Sequence, residues 1–136
     1  MYTGTNLFFE CSVESEKLRM NSRNFTRVDY TAGASVRYEN KVIACHTNNL
    51  SLRGIYLDTD YEIPLDIPVH VTVFHQNQPA FKVNAKVIRK EGNGVGLQIH
   101  NLNVNSFVKL RKIITDNSAD QVAVMQETFK MLKCIY

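Results

Sequence analysis

Between about Ala34 and Asn101 the chain alternates apolar and polar residues with a period of two, in short runs set off by turn residues. SVRYEN and KVIACHT are separated only by Glu39-Asn40-Lys41, a hairpin spacing. GIYLDTD places Ile55, Leu57 and Thr59 on one face, and VHVTVFH places Val69, Val71 and Val73 opposite His70 and Thr72. FKVNAKVIRK sets Phe81, Val83, Ala85 and Val87 against Lys82, Asn84, Lys86 and Ile88, and GVGLQIHN supplies Val95, Leu97 and Ile99. Pro64, Pro68, Asn77 to Pro79 and Gly92-Asn93-Gly94 punctuate the runs. Six short strands with no helix between them predict a mainly β fold, a small antiparallel barrel.

After Asn101 the period changes. Val104, Phe107, Val108, Leu110, Ile113 and Ile114 fall at helical spacing, with Asn103 or Asn105 as the cap. Beyond Thr115-Asp116-Asn117, Ser118 and Gln121 have the spacing of a capping box. Val122, Met125, Phe129, Leu132 and Tyr136 then recur at three, four, three and four residues. That is one apolar stripe along a terminal helix, and two readings stay open: a face docked on the domain, or a homodimer surface. Residues 1–20 are mixed and read as an N-terminal extension, with Leu7-Phe8-Phe9 available to pack and Glu14, Glu16, Lys17 and Arg19 on one exposed turn.

With 136 residues, 44% of them hydrophobic, the chain can bury a core of its own. It has no run long enough for a transmembrane helix, and its N-terminus does not read as a secretory signal. Cys11, Cys45 and Cys134 are widely spaced and odd in number, which argues for a reducing compartment and a cytoplasmic location. A net charge of +3 is too mild for duplex nucleic-acid binding but suits a small anionic ligand held by a few arginines.

Enzyme chemistry finds no support. His46, His70, His75 and His100 lack metal-ligand spacing with one another or with Cys45. Neither a phosphate loop with lysine nor a nucleophile elbow is present, and Asp58 and Asp60 read as turn and surface residues. No catalytic residue, metal or cofactor is therefore assigned. A barrel for single-stranded nucleic acid would need aromatic platforms beside a basic track. Tyr38, Tyr56 and Phe74 do not make a convincing cluster of that kind with Lys or Arg.

Two short stretches remain. SRNFTRVDYTA puts Arg23 and Arg27 four residues apart just before the first strand, and alone reads as a basic surface segment. In HTNNLSLRGIYL, Asn49, Ser51 and Gly54 sit where one strand ends and the next begins, as turn residues often do. Taken together, Arg-x-x-x-Arg followed by Asn-x-Ser-x-x-Gly resembles the PilZ domain, as does the Gly94-Val95-Gly96-Leu97 run on the last strand ahead of a helix. The resemblance spans residues 20–115.

The resemblance implies a six-stranded antiparallel PilZ-type barrel with C-terminal helices, in a stand-alone bacterial receptor for cyclic di-GMP. It divides the chain into an extension (1–20), the barrel with both motifs (21–115) and a C-terminal helix (116–136). A downstream protein partner and no membrane contact are expected, and the like charges of Arg23 and Arg27 just after the extension predict signalling by ligand-induced ordering of the N-terminal segment. A PilZ-type interaction module that binds no nucleotide is the alternative, with a nucleic-acid barrel behind it.

Carried over one at a time, Arg23 and Arg27 are expected to clasp a guanine edge and a phosphate, since both present acceptors that match a guanidinium fork. Asn49 and Ser51 are expected to meet a base from the barrel side, with Gly54 allowing close backbone approach. Arg53 is a candidate extra contact, Arg89 has the same standing, and Phe25 is an anchor on the barrel rim. Asn49 stands where many relatives have Asp, which leaves mixed cyclic dinucleotides open as ligands. Asn24 stands where relatives often have a further arginine. Ser22 occupies a position that in relatives influences whether one ligand or a stacked pair is bound.

Overall fold

The computed structural model describes residues 25–136. Arg23, Ser22, Asn24, Cys11 and the extension with Leu7-Phe8-Phe9 lie outside the described residues. Among the described residues seven strands form: β1 (Val28–Asp29), β2 (Gly33–Tyr38), β3 (Lys41–Leu50), β4 (Gly54–Asp58), β5 (Pro68–His75), β6 (Gln78–Glu91) and β7 (Gly94–Asn101). In space they run β1-β3-β2-β5-β6-β7-β4, and β4 pairs back onto β3, so β2 to β7 close into an antiparallel barrel of six. The two-residue β1 adds to the end of β3, with Val28 opposite Leu50 and Asp29 opposite Asn49. Closure leaves few unpaired edges, as a small barrel requires.

Alternation decides which side chains fill the barrel. Val36, Leu57, Val69, Val71, Val73, Phe81, Val87 and Ile99 are at most 2% exposed. The turns follow local chemistry: Gln76 and Asn77 both adopt positive φ in the two-residue β5–β6 connection, which matches the right-handed strand twist. Glu39-Asn40 joins β2 to β3, with Tyr38 opposite Lys41. Cys45 lies inside, and burial pushes its thiol from the ordinary 9.0 up to about 11, so it is packing rather than a nucleophile.

Helix α1 (Val104–Asn117) starts at Asn103, whose side chain accepts from the Ser106 amide, and buries Phe107, Leu110 and Ile114 as its spacing predicts. Helix α2 (Gln121–Lys130) departs from the sequence reading in three ways. Its cap is Asp120, accepting from the Ala123 amide, rather than Ser118 of the expected capping box. It stops at Lys130, and a 3-10 turn over Leu132–Cys134 follows. The tail then folds back on Leu102, whose amide donates to the Cys134 carbonyl (3.0 Å) and whose carbonyl accepts from the Tyr136 amide (3.1 Å).

The third departure concerns the stripe. Val122, Met125, Phe129, Leu132 and Tyr136 are 59 to 70% exposed, so of the two open readings the docked face is ruled out and the stripe points to solvent. The docked face is Val124, Glu127, Met131 and Cys134, again at three, four and three residues. A carboxylate in its middle hid it from the apolar count.

Candidate functional site

The site grows out of a single cross-strand row. Where strands pair directly, their side chains share a face. Val28, Leu50, Ile55, Leu97 and Val87 are in register across β1, β3, β4, β7 and β6, and all five are buried. One step along the ladder, Asp29, Asn49, Tyr56, Gly96 and Arg89 line up on the outer face. The inner row is core; the outer row from Asn49 to Arg89 is the floor of a cleft, with Asp29 beyond its edge.

Strict alternation would not give that outer row. Ile43, Cys45 and Thr47 point inward, so a regular β3 would send Asn49 inward too. A bulge at Asn48, between Thr47 and Asn49 in the β3–β4 register, reverses the parity: Leu50 turns in and Asn49 turns out. The same device acts on β6. Phe81, Val83, Ala85 and Val87 point inward, and a bulge at Ile88 puts Arg89 on the outer face. Two irregularities thus aim two polar side chains at one place.

The cleft, of about 150 Å³, is lined by Phe25, Arg27, Asn49, Ser51, Arg53, Gly54, Tyr56, Ile88, Arg89, Gly96 and Gln98, with Ile55 and Leu97 beneath. Three guanidinium side chains line it and no carboxylate does. Next to Arg53, burial first and then the charges of Lys86 and Arg53 hold the His100 pKa below its ordinary 6.5.

Each side chain is held by its local structure. The Ser51 hydroxyl, buried in the β3–β4 turn, accepts from the Gly54 amide at 2.9 Å and from the Arg53 amide at 3.2 Å. With both lone pairs used, it meets a ligand as a donor only. Asn49 donates to Asn48 Oδ1 at 3.1 Å, and Asn48 donates to Asp58 at 3.3 Å, so Asn49 faces the cleft with its carbonyl oxygen as the available acceptor. Arg53 gives Nε–H to the Ile99 carbonyl at 3.0 Å, which orients its two terminal nitrogens. Arg27 stands just before β1, exposed, on the opposite lip.

Sequence reasoning missed Tyr56. Its ring carries the Arg89 guanidinium 5.9 Å from its centroid, and Arg89 Nε is paired with Glu91 at 2.8 Å. Tyr56 and Arg89 lie 33 residues apart in sequence, but β4 and β6 both pair with β7, which brings them together across Gly96. A Cβ built on Gly96 would sit 3.3 Å from an Arg89 terminal nitrogen, and one on Gly94 would fall inside the Tyr56 ring. The Gly-Val-Gly spacing therefore makes a shelf on which an arginine and an aromatic ring lie flat. Lys41 lies over the Tyr38 ring at 5.6 Å, away from the cleft.

Gly54 also serves by space. Its φ is not in the left-handed region; a Cβ there would meet the Leu97 carbonyl at 3.2 Å. Of the expected site residues, Arg27, Asn49, Ser51, Arg53 and Gly54 thus line one cleft, and Arg23 lies outside the described residues. Among the described residues, no three His, Cys, Asp or Glu side chains are grouped to hold a metal, and no helix is long and apolar enough to cross a membrane.

Comparison with known proteins agrees with this architecture. The PilZ domain of the YcgR protein from Escherichia coli, solved with c-di-GMP, superposes with a TM-score of 0.58 at 14% identity, covering 83% of this chain and 98% of that one. The PilZ domain of CeSA from a cellulose-synthesizing bacterium gives 0.55 at 15% identity over 67% of this chain and 96% of its own. The Bacillus subtilis inhibitor of motility MotI/DgrA gives 0.57 at 15% identity over 82% of this chain, which spans 54% of that protein. At such identities the likeness is one of fold. No curated protein sequence matches. The family model for the PilZ domain matches residues 21–116, and the chain, with its closed six-stranded barrel and C-terminal helices, belongs to the PilZ domain family.

Proposed function

We propose that the chain is a bacterial receptor for cyclic di-GMP that binds in the cleft between the Arg27 lip and the Asn49–Gly54 turn. One observation carries the reading: Arg27 from the first motif and Asn49, Ser51 and Gly54 from the second line a single cleft with no carboxylate in it. The ligand carries two phosphate charges and two guanines. The guanine outer edge offers O6 and N7 to an arginine fork, whereas adenine replaces O6 with an amino donor that faces arginine badly. The Asn49 carbonyl accepts from the guanine ring and amine, Ser51 donates to an acceptor beside it, and the Tyr56–Arg89 shelf gives a base a flat surface to lie on.

Size supports a covering role for the segment ahead of Phe25. Pockets that enclose a drug-sized ligand run to about 300–1,000 Å³, and this cleft holds about 150 Å³. It takes part of the ligand and leaves the rest for the arm with Arg23. Arg27, already on the lip of the cleft, repels Arg23 until a dianion pins both, which orders the segment ahead of Phe25 against the barrel.

Calorimetric titration tests the receptor reading. Cyclic di-GMP is expected to bind tightest, its GMP–AMP hybrid less tightly and cyclic di-AMP weakest. Equal affinity for all three, or none for any, would refute it. The ordering step has its own test in hydrogen exchange: amides of residues 20–24 are expected to gain protection when ligand is added. Identical protection in both states would leave a receptor that works without ordering its arm.

A further inference from the structure

The buried carboxylate on α2 does a job that its helix does not need. Glu127 is only 8% exposed, at the centre of the docked face between Val124 and Met131. A carboxylate in such a place is costly unless its oxygens are hydrogen-bonded. Both are: Oε1 accepts the Thr26 backbone amide at 2.8 Å and Oε2 accepts the Thr26 hydroxyl at 2.7 Å. The partner is 101 residues away in sequence and immediately precedes Arg27. One turn further along α2, the Lys130 ammonium sits 5.5 Å above the ring of Phe25, itself a wall of the cleft. Two residues of α2 therefore grip two consecutive residues of the arm.

We propose that Glu127 is a positioning residue for ligand capture: it fixes the arm's main chain at Thr26 so that Arg27 faces the cleft, and thereby couples ligand binding to the docking of α2. The proposal rests on the receptor reading for its ligand half. The geometry favours positioning over inhibition, because with Thr26 held, Phe25 and Arg27 both line the cleft. A preorganised contact raises affinity because the ligand need not order that part of the chain itself. By linkage the effect is reciprocal, so a ligand that holds Arg27 tightens the docking of α2 by the same factor.

The variants are Glu127→Gln, which keeps shape but removes one acceptor, Thr26→Val, which removes the hydroxyl from the arm without touching the helix, and Thr26→Ser, which restores it. In ligand-free protein, Glu127→Gln is expected to speed amide exchange at Thr26 while barrel amides keep wild-type rates. With cyclic di-GMP, Glu127→Gln and Thr26→Val are each expected to weaken binding about tenfold, as loss of a charge-assisted hydrogen bond implies. Their double variant should be no weaker than Glu127→Gln alone, and Thr26→Ser should bind as wild type. Ligand should also slow exchange of α2 amides in wild type and not in Glu127→Gln.

Unchanged exchange at Thr26 in Glu127→Gln overturns the clamp whatever the ligand does. Tighter binding by that variant overturns positioning in favour of an inhibitory contact, and additive losses overturn coupling through this pair. A wild-type chain that does not titrate with cyclic di-GMP removes the ligand half together with the receptor reading, while fast Thr26 exchange in the variant still upholds the clamp.

Discussion

Replacing Arg27 with alanine is expected to lower affinity for cyclic di-GMP by about a hundredfold or more while leaving the unfolding midpoint where it is. The two halves of that result come from different facts. Arg27 is exposed and stands before β1, outside the barrel core, and substitutions at such surface positions usually change stability by no more than about 0.5 kcal/mol. Against a guanine edge or a phosphate, the same group makes two parallel charge-assisted hydrogen bonds, each of about 1.5–3 kcal/mol, and alanine makes neither. Lysine separates charge from shape: Arg27→Lys keeps the positive charge and loses the planar fork, so it should recover only a minor part of the affinity. Titration calorimetry at two salt concentrations decides the matter. Full recovery by lysine, with a steep salt dependence, would mark a diffuse attraction to polyanions instead of a built site.

That site was legible in the sequence in a particular way. The six strands and the helix after Asn101 were readable because the barrel interior enforces a period of two and α1 a period of 3.6. The paired motifs gave Arg27, Asn49, Ser51, Arg53 and Gly54, all of which line the cleft. What could not be read were departures from period. The bulges at Asn48 and Ile88 turn Asn49 and Arg89 outward, and no local composition announces them. Tyr56 escaped notice because its basic neighbour belongs to a strand two places away in the sheet, joined only through Gly96. On α2 the apolar stripe chosen by counting was the outward one, because Glu127 interrupts the true inner face. A charge in the middle of a helical repeat reads as surface until its partner is known, and here the partner, Thr26, lies at the other end of the described chain.

The space around position 54 leads to the expected stability result with the largest effect. Gly54 does not use left-handed φ, so a side chain costs nothing in backbone conformation. It costs space. A Cβ would lie 3.2 Å from the Leu97 carbonyl, which belongs to the β4–β7 ladder that closes the barrel. At Gly94 the obstructing group is the far end of the Tyr56 side chain, which can rotate away; at Gly54 it is main chain, which cannot. Gly54→Ala asks the carbonyl to yield by a few tenths of an ångström, and the loss is offset by about 0.4–1 kcal/mol from the stiffer unfolded chain, so it should be nearly neutral. Gly54→Val adds two methyls to the same carbonyl and should destabilise by about 2–3 kcal/mol, the usual range for overpacking, despite valine's preference for strands. The same displacement would pull on the Ser51 turn, where Gly54 both donates to the Ser51 hydroxyl and accepts from the Ser51 amide, so ligand affinity should fall along with stability. Denaturant unfolding of the two variants separates the causes. If alanine is as damaging as valine, backbone conformation is what matters at this position; if valine is harmless, the β4–β7 seam is looser than its register implies.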